Sequence, residues 1–284
     1  MASLGIDVGG SSVKLALVDE NGRALWQTQS ETYTKPTREQ LAAVIRKAIA
    51  GRFDAGGAVG ICVPGTRDIV KRTVIQAVNL PALQGLPLDD LVADAVGITH
   101  SRIEIMTDAN ATGIDVYLTN NLKGRLCSIA LGTGIGLGVI DAGGVVLFVD
   151  GESSGHIGQI DVSIEGAPVI GPDSGAGSLE GYLGAPAIAK RYGADMPKNL
   201  ANLRPTDPPV LALARAIRIC HAIYCPHHFA LTGGIGIRMK HLLPMIREVV
   251  EKDLSSIARP GWTLTCGTDE FHAAKGAAKF AAKK

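Results

Sequence analysis

The sequence predicts an α/β protein built as two lobes, and three observations support this fold class. The length of 284 residues exceeds one average domain and indicates about two compact units. Short apolar runs typical of strands are mixed with helical patterns along the whole chain. A strand, a small-residue loop, a second strand and an Asp-x-x-Gly turn also occur twice, at residues 4–22 and again at 126–144, which suggests two lobes of similar design.

Composition excludes several classes of protein. Hydrophobic residues make up 46% and charged residues 19% of the chain, a globular profile and not a disordered or collagen-like one. With 28 Lys and Arg against 27 Asp and Glu, the net charge is +1, and aromatic residues are only 4%. The basic surface and the stacking platforms of nucleic-acid-binding proteins are therefore lacking, and no nucleic-acid partner is expected.

The chain is expected to be cytoplasmic and to have no membrane partner. It enters an apolar run at Leu4 without a basic leader, which argues against a secretory signal. The longest apolar stretch, at 126–149, is interrupted by glycines and by Asp141, which favours strands joined by a turn over a membrane helix. The five cysteines are scattered, which is typical of reduced thiols.

The first part of the chain predicts a strand-rich lobe. Val13, Leu15 and Leu17 alternate with other residues at the period of two that marks a strand. Thr37 precedes a helical pattern as a capping residue. The predicted elements are two strands within 3–19, a strand at 23–29, a helix at 37–50, a strand at 57–63, a helix at 86–96, a strand at 103–106 and a helix at 108–118.

The second part of the chain repeats this mixture. The predicted elements are a strand at 126–131, a strand ending at 141, a Pro-rich connector at 197–209, a helix at 210–224, a strand at 227–231, a helix reaching about 251, a strand at 262–266 and a helix at 270–282. Lys275, Lys279 and Lys283 recur every four residues on the last helix and predict a face exposed to solvent.

Three glycine turns, each directly after a predicted buried strand, are candidate phosphate-binding sites. Without a Cβ atom, a glycine lets backbone N–H groups come close to an anion. The turns are at 9–12, at 132–136 and at Gly233-Gly234, the last before a helix whose positive end attracts phosphate. Their spacing excludes the P-loop and argues against the dinucleotide-binding motif.

Two aspartates follow predicted strands, and each has two interpretations. Asp7 precedes the first glycine turn, where it either forms a turn with its own backbone or holds hydrated Mg²⁺ against bound phosphates. Asp108 ends one strand and opens a helix, where it is either the N-cap of that helix or a general base facing a cleft.

Residues 151–155 fit the Gly-x-Ser-x-Gly pattern of serine hydrolases. The nucleophile elbow of those enzymes needs a helix directly after the serine. Residues 156–162 instead alternate as a strand would, so a serine hydrolase is the distant alternative.

Taken together, these motifs resemble the ROK family of sugar kinases, which belongs to the superfamily of actin-like, sugar-kinase and Hsp70 ATPases. The resemblance covers residues 3 to about 280. The segments that carry it are 4–14, 60–66, 79–80, 107–111, 131–136, 177–182 and 232–236. No helix-turn-helix segment precedes Leu4, so the repressor branch of the family is not expected.

The resemblance implies two actin-like (ribonuclease H-like) lobes, each a mixed β-sheet flanked by helices, with ATP and substrate in the cleft between them. The N-terminal lobe is expected at 1–111, with the C-terminal helix at about 268–284 packing back on it, and the C-terminal lobe at 112–267. The implied reaction is ATP-dependent phosphorylation of a hydroxyl of a sugar or sugar-like polyol. A non-catalytic protein of the same fold that senses a sugar or a nucleotide is the alternative.

The resemblance also implies residue roles. Asp108 matches the catalytic base, and Asp7 would help to place Mg²⁺, through water. The implied nucleotide-binding residues are Gly9, Gly10, Ser11, Ser12, Lys14, Gly132, Thr133, Gly134, Gly233 and Gly234. The implied substrate-binding residues are Pro64, Gly65, Asn79, Thr107, Asp108, His156, Gln159 and Glu180.

Several residues depart from the family pattern, and they affect which sugar is expected as substrate and whether a structural zinc ion is expected. Thr107 stands where most members have Asn, and the sugar-binding Glu and His of the Gly-Glu-x-Gly-His segment are His156 and Gln159 here. The changes at His156 and Gln159 argue against glucose and leave a hexose or amino sugar as the leading class of substrate, with ketoses, cyclitols and nucleosides open. Ser178 replaces the last cysteine of the zinc cluster of many members, so no structural zinc is expected. The donor (ATP or polyphosphate) and the oligomeric state, a homodimer among the alternatives, stay open.

Overall fold

The computed structural model describes residues 1–54, 56–77, 80–149, 151 and 153–283, folded as two compact units. The first unit consists of residues 1–120, 148–152 and 271–284, and the second of 121–147 and 153–270. Each has its own sheet and its own hydrophobic core. The lobes expected at 1–111 and 112–267 stay a prediction; residue 111 lies inside a helix that belongs wholly to the first unit.

The elements follow one another as strands and helices mixed throughout. The strands are β1 (Ser3–Val8), β2 (Val13–Val18), β3 (Ala24–Gln29), β4 (Val59–Val63), β5 (Thr66–Asp68), β6 (Thr73–Gln76), β7 (Ile103–Thr107), β8 (Leu126–Leu131), β9 (Ile135–Ile140), β10 (His228–Thr232) and β11 (Thr263–Cys266). The helices are α1 (Arg38–Ile49), α2 (Leu88–Val96), α3 (Asp108–Thr119), α4 (Leu179–Leu183), α5 (Ala185–Tyr192), α6 (Met196–Ala201), α7 (Pro208–Tyr224), α8 (Gly233–Arg238), α9 (Leu243–Lys252) and α10 (His272–Ala281).

The sheet of the first unit has the strand order β3-β2-β1-β4-β7. Strands β1, β2 and β3 form an antiparallel meander, whereas β4 pairs in parallel with both β1 and β7. Strands β1, β4 and β7 therefore all end at the same edge of the sheet, where loops are free to carry functional groups. A separate hairpin of β5 and β6 follows β4, and its strands are too short for periodicity to predict them.

The sheet of the second unit repeats this plan with the order β11-β10-β8-β9. Strands β8 and β9 form an antiparallel hairpin, and β10 pairs in parallel with β8 and β11. The Asp-x-x-Gly turns of the two units also have the same hydrogen bonds. Asp19 Oδ1 accepts the N–H groups of Asn21 at 2.9 Å and Arg23 at 2.8 Å. Asp141 Oδ1 accepts the N–H groups two and four residues later, at 2.8 and 2.9 Å. The predicted α/β class, with mixed sheets flanked by helices, is confirmed.

Three predictions about secondary structure are wrong. The helix expected to reach residue 251 is divided into α8 and α9. Pro244 lies in the first turn of α9, because a proline has no N–H group to continue a helix from the preceding turn. Residues 156–162 are not a strand, since 157–159 form a single 3-10 turn. Helix α6 occupies the start of the segment 197–209, where a connector was expected. No described helix is long and apolar enough to cross a membrane.

Helix α10 lies directly on the backbone of its neighbours in the first unit. A Cβ atom added at Gly60 of β4 would lie 2.0 Å from the carbonyl oxygen of Ala277, far inside contact distance. One added at Gly276 would lie 1.7 Å from the carbonyl oxygen of Ala111 in α3. The small residues of α10 are therefore required by close packing, since interiors of this density have no room for a further methyl group.

We expect Gly60→Ala to destabilise the protein by about 1–3 kcal/mol, because the added methyl group forces β4 and α10 apart. Gly56→Ala is the matched control, since an added Cβ there meets its nearest atom at an ordinary 3.6 Å. Urea unfolding of the two variants and the parent gives the comparison. Equal stability of both variants would show that α10 does not pack as described.

The lysines of α10 are not all exposed to solvent, so the predicted solvated face is wrong. Lys279 is buried, and its Nζ donates to Asp115 Oδ1 at 2.6 Å and to Thr119 Oγ1 at 2.7 Å. Lys275 Nζ lies 3.4 Å from Asp115 Oδ2, and His272 Nδ1 is 2.5 Å from the same oxygen. The four-residue spacing does define one helix face, but that face packs on α3, whose buried carboxylate the spacing cannot reveal.

Candidate active site

Two carboxylates lie at the edge of the first unit's sheet where the parallel strands end. Asp7 is the next-to-last residue of β1 and pairs with Cys62 of the neighbouring strand β4. Cys62 in turn pairs with Met106 of β7. Asp108 comes directly after β7 and begins α3. Both side chains are half-buried. The topology therefore brings together two acids that are a hundred residues apart in the sequence.

The charge of Asp108 affects the pKa of Asp7. Burial, and then the nearby charge of Asp108, raise the pKa of Asp7 to about 7, against the opposing effects of Lys14 and of the Cys62 thiol, whose Sγ lies 3.7 Å from Asp7 Oδ1. Burial also raises the pKa of Asp108, against the opposing N–H groups of Ala109 and of Asp108 itself and the charge of Arg67. This edge of the sheet therefore concentrates negative charge that a bound cation would neutralise.

Asp108 is not the N-cap of α3. Thr107 takes that position, and its Oγ1 accepts the Asn110 N–H at 3.2 Å. Asp108 Oδ1 accepts the neighbouring Ala109 N–H at 2.8 Å, and the carboxylate also accepts the N–H of Asp108 itself, which together orient it. Of the two interpretations that the residues left open, the capping one is therefore wrong, and the Asp108 carboxylate is not needed to begin the helix.

The donor set at Asp7 fits magnesium. Carboxylate oxygens are the ligands that Mg²⁺ prefers, and this ion usually keeps several waters and binds one or two carboxylates together with substrate phosphates. The described residues contain no group of three or more His, Cys, Asp or Glu side chains placed to hold a metal. Asp7, beside the second carboxylate of Asp108, would hold the ion mainly through water, because Mg²⁺ keeps several of its waters.

The first turn (residues 9–12) joins β1 to β2 with its carbonyl groups engaged. The Gly9 N–H donates to the Ser12 carbonyl at 3.0 Å. Tyr33 donates its hydroxyl to the Gly9 carbonyl at 2.6 Å and its N–H to the Ser11 carbonyl at 2.8 Å. Within the described part of the chain, the N–H groups of Gly10 and Ser11 have no acceptor, so the turn offers donors to an anion.

Tyr33 is a contributor that the sequence did not reveal, because it stands in an irregular segment after β3 with no motif around it. Its phenol is half-buried, and burial followed by the charge of Asp7 raises the pKa of Tyr33 well above its ordinary value. The hydroxyl therefore stays protonated and keeps donating to the first turn at every physiological pH.

The second turn (residues 132–134) joins β8 to β9 and is built in a similar way. The Gly132 N–H donates to the Gly134 carbonyl at 3.0 Å, and the Gly132 carbonyl accepts the Ala185 N–H at 2.9 Å. The exposed Thr133 and Gly134 donate their N–H groups to no acceptor among the residues that the structure describes. The second unit therefore also carries a hairpin turn with N–H groups available to an anion.

The third glycine turn has a packing explanation. Gly233 has φ +72°, and a Cβ atom there would lie 2.5 Å from the Leu131 carbonyl oxygen at the end of β8. Gly234 begins the short helix α8 beside it. The close approach of the two strand ends requires a glycine at 233, and the nucleotide-binding role of Gly233 and Gly234 stays a prediction.

Of the predicted substrate residues in the first unit, Pro64 and Gly65 lead into the β5–β6 hairpin. Gly65 has φ +95°, and a Cβ atom there would lie 2.0 Å from the Gln76 carbonyl oxygen, so the hairpin requires this glycine. Thr107 has the capping role given above. Asn79 lies outside the described residues.

Of the predicted substrate residues in the second unit, two are exposed and one is half-buried. His156 and Gln159 are exposed, and Gln159 Nε2 donates to Asp173 Oδ2 at 2.7 Å. Glu180 is half-buried on α4, and its Oε2 accepts the Ile135 N–H at 2.9 Å. Burial raises the pKa of Glu180, and the charge of Asp173 adds to this effect. These polar groups therefore share one region beside the second turn.

Comparison with known proteins identifies the family of this chain. The ROK family model matches residues 3–284. The chain belongs to the ROK family. It is 27% identical over 279 residues to the glucokinase of Thermotoga maritima, with 87% of this chain and 86% of that protein covered. It is 26% identical over 288 residues to the N-acetyl-D-glucosamine kinase of Erwinia tasmaniensis, with 90% and 91% covered.

Solved structures show the ROK fold. The ROK family glucokinase from Streptomyces griseus, in complex with glucose and AMPPNP, superposes with a TM-score of 0.78 at 23% identity, and 100% of each chain is covered. The resemblance to the ROK family and the expected fold class are thus confirmed.

One departure from the ROK pattern has a structural role. Ser178, which replaces the last zinc-cluster cysteine of many ROK members, is buried and caps α4, where its Oγ accepts the Gly181 N–H at 3.2 Å. A hydroxyl is a better helix cap than a thiol, so the change from cysteine suits the helix start. The expectation of no structural zinc stays a prediction.

We expect Asp7→Asn to stabilise the protein at pH 8 but not at pH 4. Because the pKa of Asp7 is raised to about 7 in the folded state, folding favours the protonated acid, and the parent loses stability as the pH rises from about 4 to 7. The amide carries no charge and avoids that loss. Thermal unfolding of parent and variant between pH 4 and pH 8 gives the measurement. An advantage that shrinks with rising pH would contradict the assigned pKa.

Proposed function

We propose that this protein is a kinase that transfers the γ-phosphoryl group of ATP to a hydroxyl of a hexose or an amino sugar. Membership of the ROK family and similarity to a glucokinase and an N-acetyl-D-glucosamine kinase support this class of reaction. The observation that carries the proposal is the Asp108 carboxylate. It is oriented by neighbouring backbone N–H groups, is not the cap of α3, and lies beside a second acid.

Asp108 is the proposed general base. The acceptor hydroxyl gives its proton to the Asp108 carboxylate while its oxygen attacks the γ-phosphorus, and ADP leaves with the bridging oxygen. Burial raises the pKa of Asp108 toward the working pH, which improves its match to this task. Asp108 Oδ1 is engaged by the Ala109 N–H, so we assign proton acceptance to Oδ2.

Asp7 and the turns are the proposed nucleotide contacts. Asp7 would hold Mg²⁺ through water, and the ion, when bound, neutralises charge on the phosphates. In the first unit, Gly10 and Ser11 are proposed to donate N–H groups to phosphate oxygens, with Gly9, Ser12 and Lys14 shaping the same site. In the second unit, Thr133 and Gly134 are proposed to do the same, with Gly132, Gly233 and Gly234 beside them.

The acceptor contacts proposed in the first unit are Pro64, Gly65, Asn79 and Thr107. In the second unit they are His156, Gln159 and Glu180. Such polar groups discriminate among hydroxyl patterns, because a hydroxyl that finds no partner leaves a protein group unpaired. Five free thiols and the need for ATP support a cytoplasmic setting.

Thermal-shift binding tests the proposal. We expect a nonhydrolysable ATP analogue with Mg²⁺ to raise Tm, and one member of a panel of hexoses, N-acetylated hexosamines and free hexosamines to raise it further. Chelation of Mg²⁺ is expected to remove most of the nucleotide effect. Failure of every nucleotide and sugar to shift Tm would contradict the proposal. Binding by polyphosphate in place of the analogue would reassign the donor.

A further inference from the structure

We propose that Glu180 is a positioning residue for the second turn, in addition to any contact that it makes with an acceptor. The importance of this turn for phosphate binding rests on the proposed function. The hydrogen bond that carries the inference joins the Ile135 N–H to Glu180 Oε2 at 2.9 Å. Ile135 is the first residue of β9, so this bond holds the point where the turn ends.

Two glycines next to this hydrogen bond allow the Glu180 carboxylate to lie close to the backbone of the turn. A Cβ atom added at Gly134 would lie 3.2 Å from Glu180 Oε2. One added at Gly158 would lie 2.9 Å from the same oxygen and 2.7 Å from the Ile135 carbonyl oxygen. Glycine on both sides of the carboxylate therefore allows it to reach the backbone of the turn, and a larger residue at 158 would force the carboxylate or the Ile135 carbonyl to move.

The other end of the turn is held from the same direction. The Ala185 N–H donates to the Gly132 carbonyl at 2.9 Å. A Cβ atom at Gly184, between α4 and α5, would lie 3.0 Å from the Thr133 carbonyl oxygen. Glu180 on α4 and Ala185 on α5 therefore hold the turn at its end and its start, respectively.

Fixing the turn in this way would help it to bind phosphate. With Ile135 and the Gly132 carbonyl held, the N–H groups of Thr133 and Gly134 keep their orientation before a ligand arrives. Donors that are already oriented need no rearrangement on binding, so removing the support should weaken binding although Glu180 itself need not touch the phosphate.

The experiment compares Glu180→Ala with Glu180→Gln, whose amide oxygen can still accept the Ile135 N–H. Glu165→Ala, at an exposed acid of the same unit, is the matched control. Gly158→Ala is a second disruptive variant, because its methyl group would lie too close both to the Ile135 carbonyl oxygen, at 2.7 Å, and to Glu180 Oε2, at 2.9 Å. Circular dichroism and thermal unfolding establish first which variants are folded.

The first readout is hydrogen exchange of the Ile135 amide without any ligand. We expect exchange to be at least about tenfold faster in Glu180→Ala and Gly158→Ala than in the parent, and within about threefold of the parent in Glu180→Gln and Glu165→Ala. Unchanged exchange in folded Glu180→Ala would overturn the positioning role. Glu180→Gln exchanging as fast as Glu180→Ala would overturn it as well.

The second readout is the dissociation constant of a nonhydrolysable ATP analogue with Mg²⁺, measured without sugar. We expect about tenfold weaker binding by Glu180→Ala and near-parental binding by Glu180→Gln. A rise in the acceptor KM of Glu180→Ala with parental nucleotide affinity would assign Glu180 to the acceptor alone and overturn the inference. Absence of nucleotide binding by the parent would instead contradict the proposed function, while the amide-exchange result would still decide the positioning role.

Discussion

Replacement of Asp108 by asparagine is expected to lower kcat by about 10²–10⁴-fold and to leave nucleotide affinity near that of the parent. Asparagine has nearly the same shape, and its carbonyl oxygen can accept the Ala109 N–H as Asp108 Oδ1 does at 2.8 Å. It cannot accept a proton from an acceptor hydroxyl at neutral pH. The substitution therefore removes the proposed chemistry without removing the local structure.

The fold should survive this change, because Thr107 and not Asp108 caps α3. Asp94→Asn is the matched control, since Asp94 is an exposed aspartate of the same unit that pairs with Arg38 at 2.6 Å. Steady-state kinetics and calorimetric binding of a nonhydrolysable ATP analogue separate the two effects. Activity of Asp108→Asn within about threefold of the parent would remove Asp108 from the role of base.

Replacement of Asp115 by alanine is expected to cost about 3–5 kcal/mol of stability, the largest effect on folding among these variants. Asp115 lies on α3 and is completely buried. It accepts hydrogen bonds from His272 and Lys279, and Lys275 lies 3.4 Å away. Alanine would leave these basic groups of α10 without the carboxylate that holds them in the interior.

The pH dependence of stability gives this prediction a second test. Burial acts to raise the pKa of Asp115, but hydrogen bonds from His272 and Lys279 and the charge of Lys275 outweigh burial and hold the pKa at about 2. The folded state therefore favours the charged carboxylate. This contribution is complete above about pH 4 and is lost as the pH falls toward 2.

Urea unfolding at pH 7 and at lower pH measures both effects. The control is Asp94→Ala, which breaks an exposed ion pair and is expected to cost less than about 1 kcal/mol. The difference between the parent and Asp115→Ala should shrink as the pH falls below 4. A cost similar to that of the control at pH 7 would show that the buried network does not stabilise the first unit.

Local sequence signals predicted the secondary structure where each element carries its own pattern. The alternation in 13–18 and the cap at Thr37 predict β2 and α1 because neither depends on a distant neighbour. The two Asp-x-x-Gly turns are predictable for the same reason. Glycine turns after buried strands indicated the two hairpins correctly, since only a tight turn fits between such strands.

What the sequence did not reveal depends on groups that meet only in the folded chain. The sequence pattern predicts that Lys279 is exposed to solvent. In the structure α10 packs on α3, and Lys279 donates a hydrogen bond to Asp115. Tyr33 has no motif around it, yet it bonds two carbonyl groups of the first turn. The family pattern predicts that Glu180 contacts the sugar, whereas its hydrogen bond with the Ile135 N–H follows from the placement of α4 beside the second turn.

The most direct test of the central claim follows the phosphoryl group itself. The parent protein is incubated with γ-labelled ATP, Mg²⁺ and each member of the sugar panel, and the products are separated and identified by mass spectrometry and ³¹P NMR. We predict label on a hydroxyl of one sugar or a small related set, with ADP formed in equal amount, and almost none with Asp108→Asn. Parent protein that binds nucleotide and sugar but forms no phosphorylated sugar, from ATP or from polyphosphate, would contradict the assignment as a kinase.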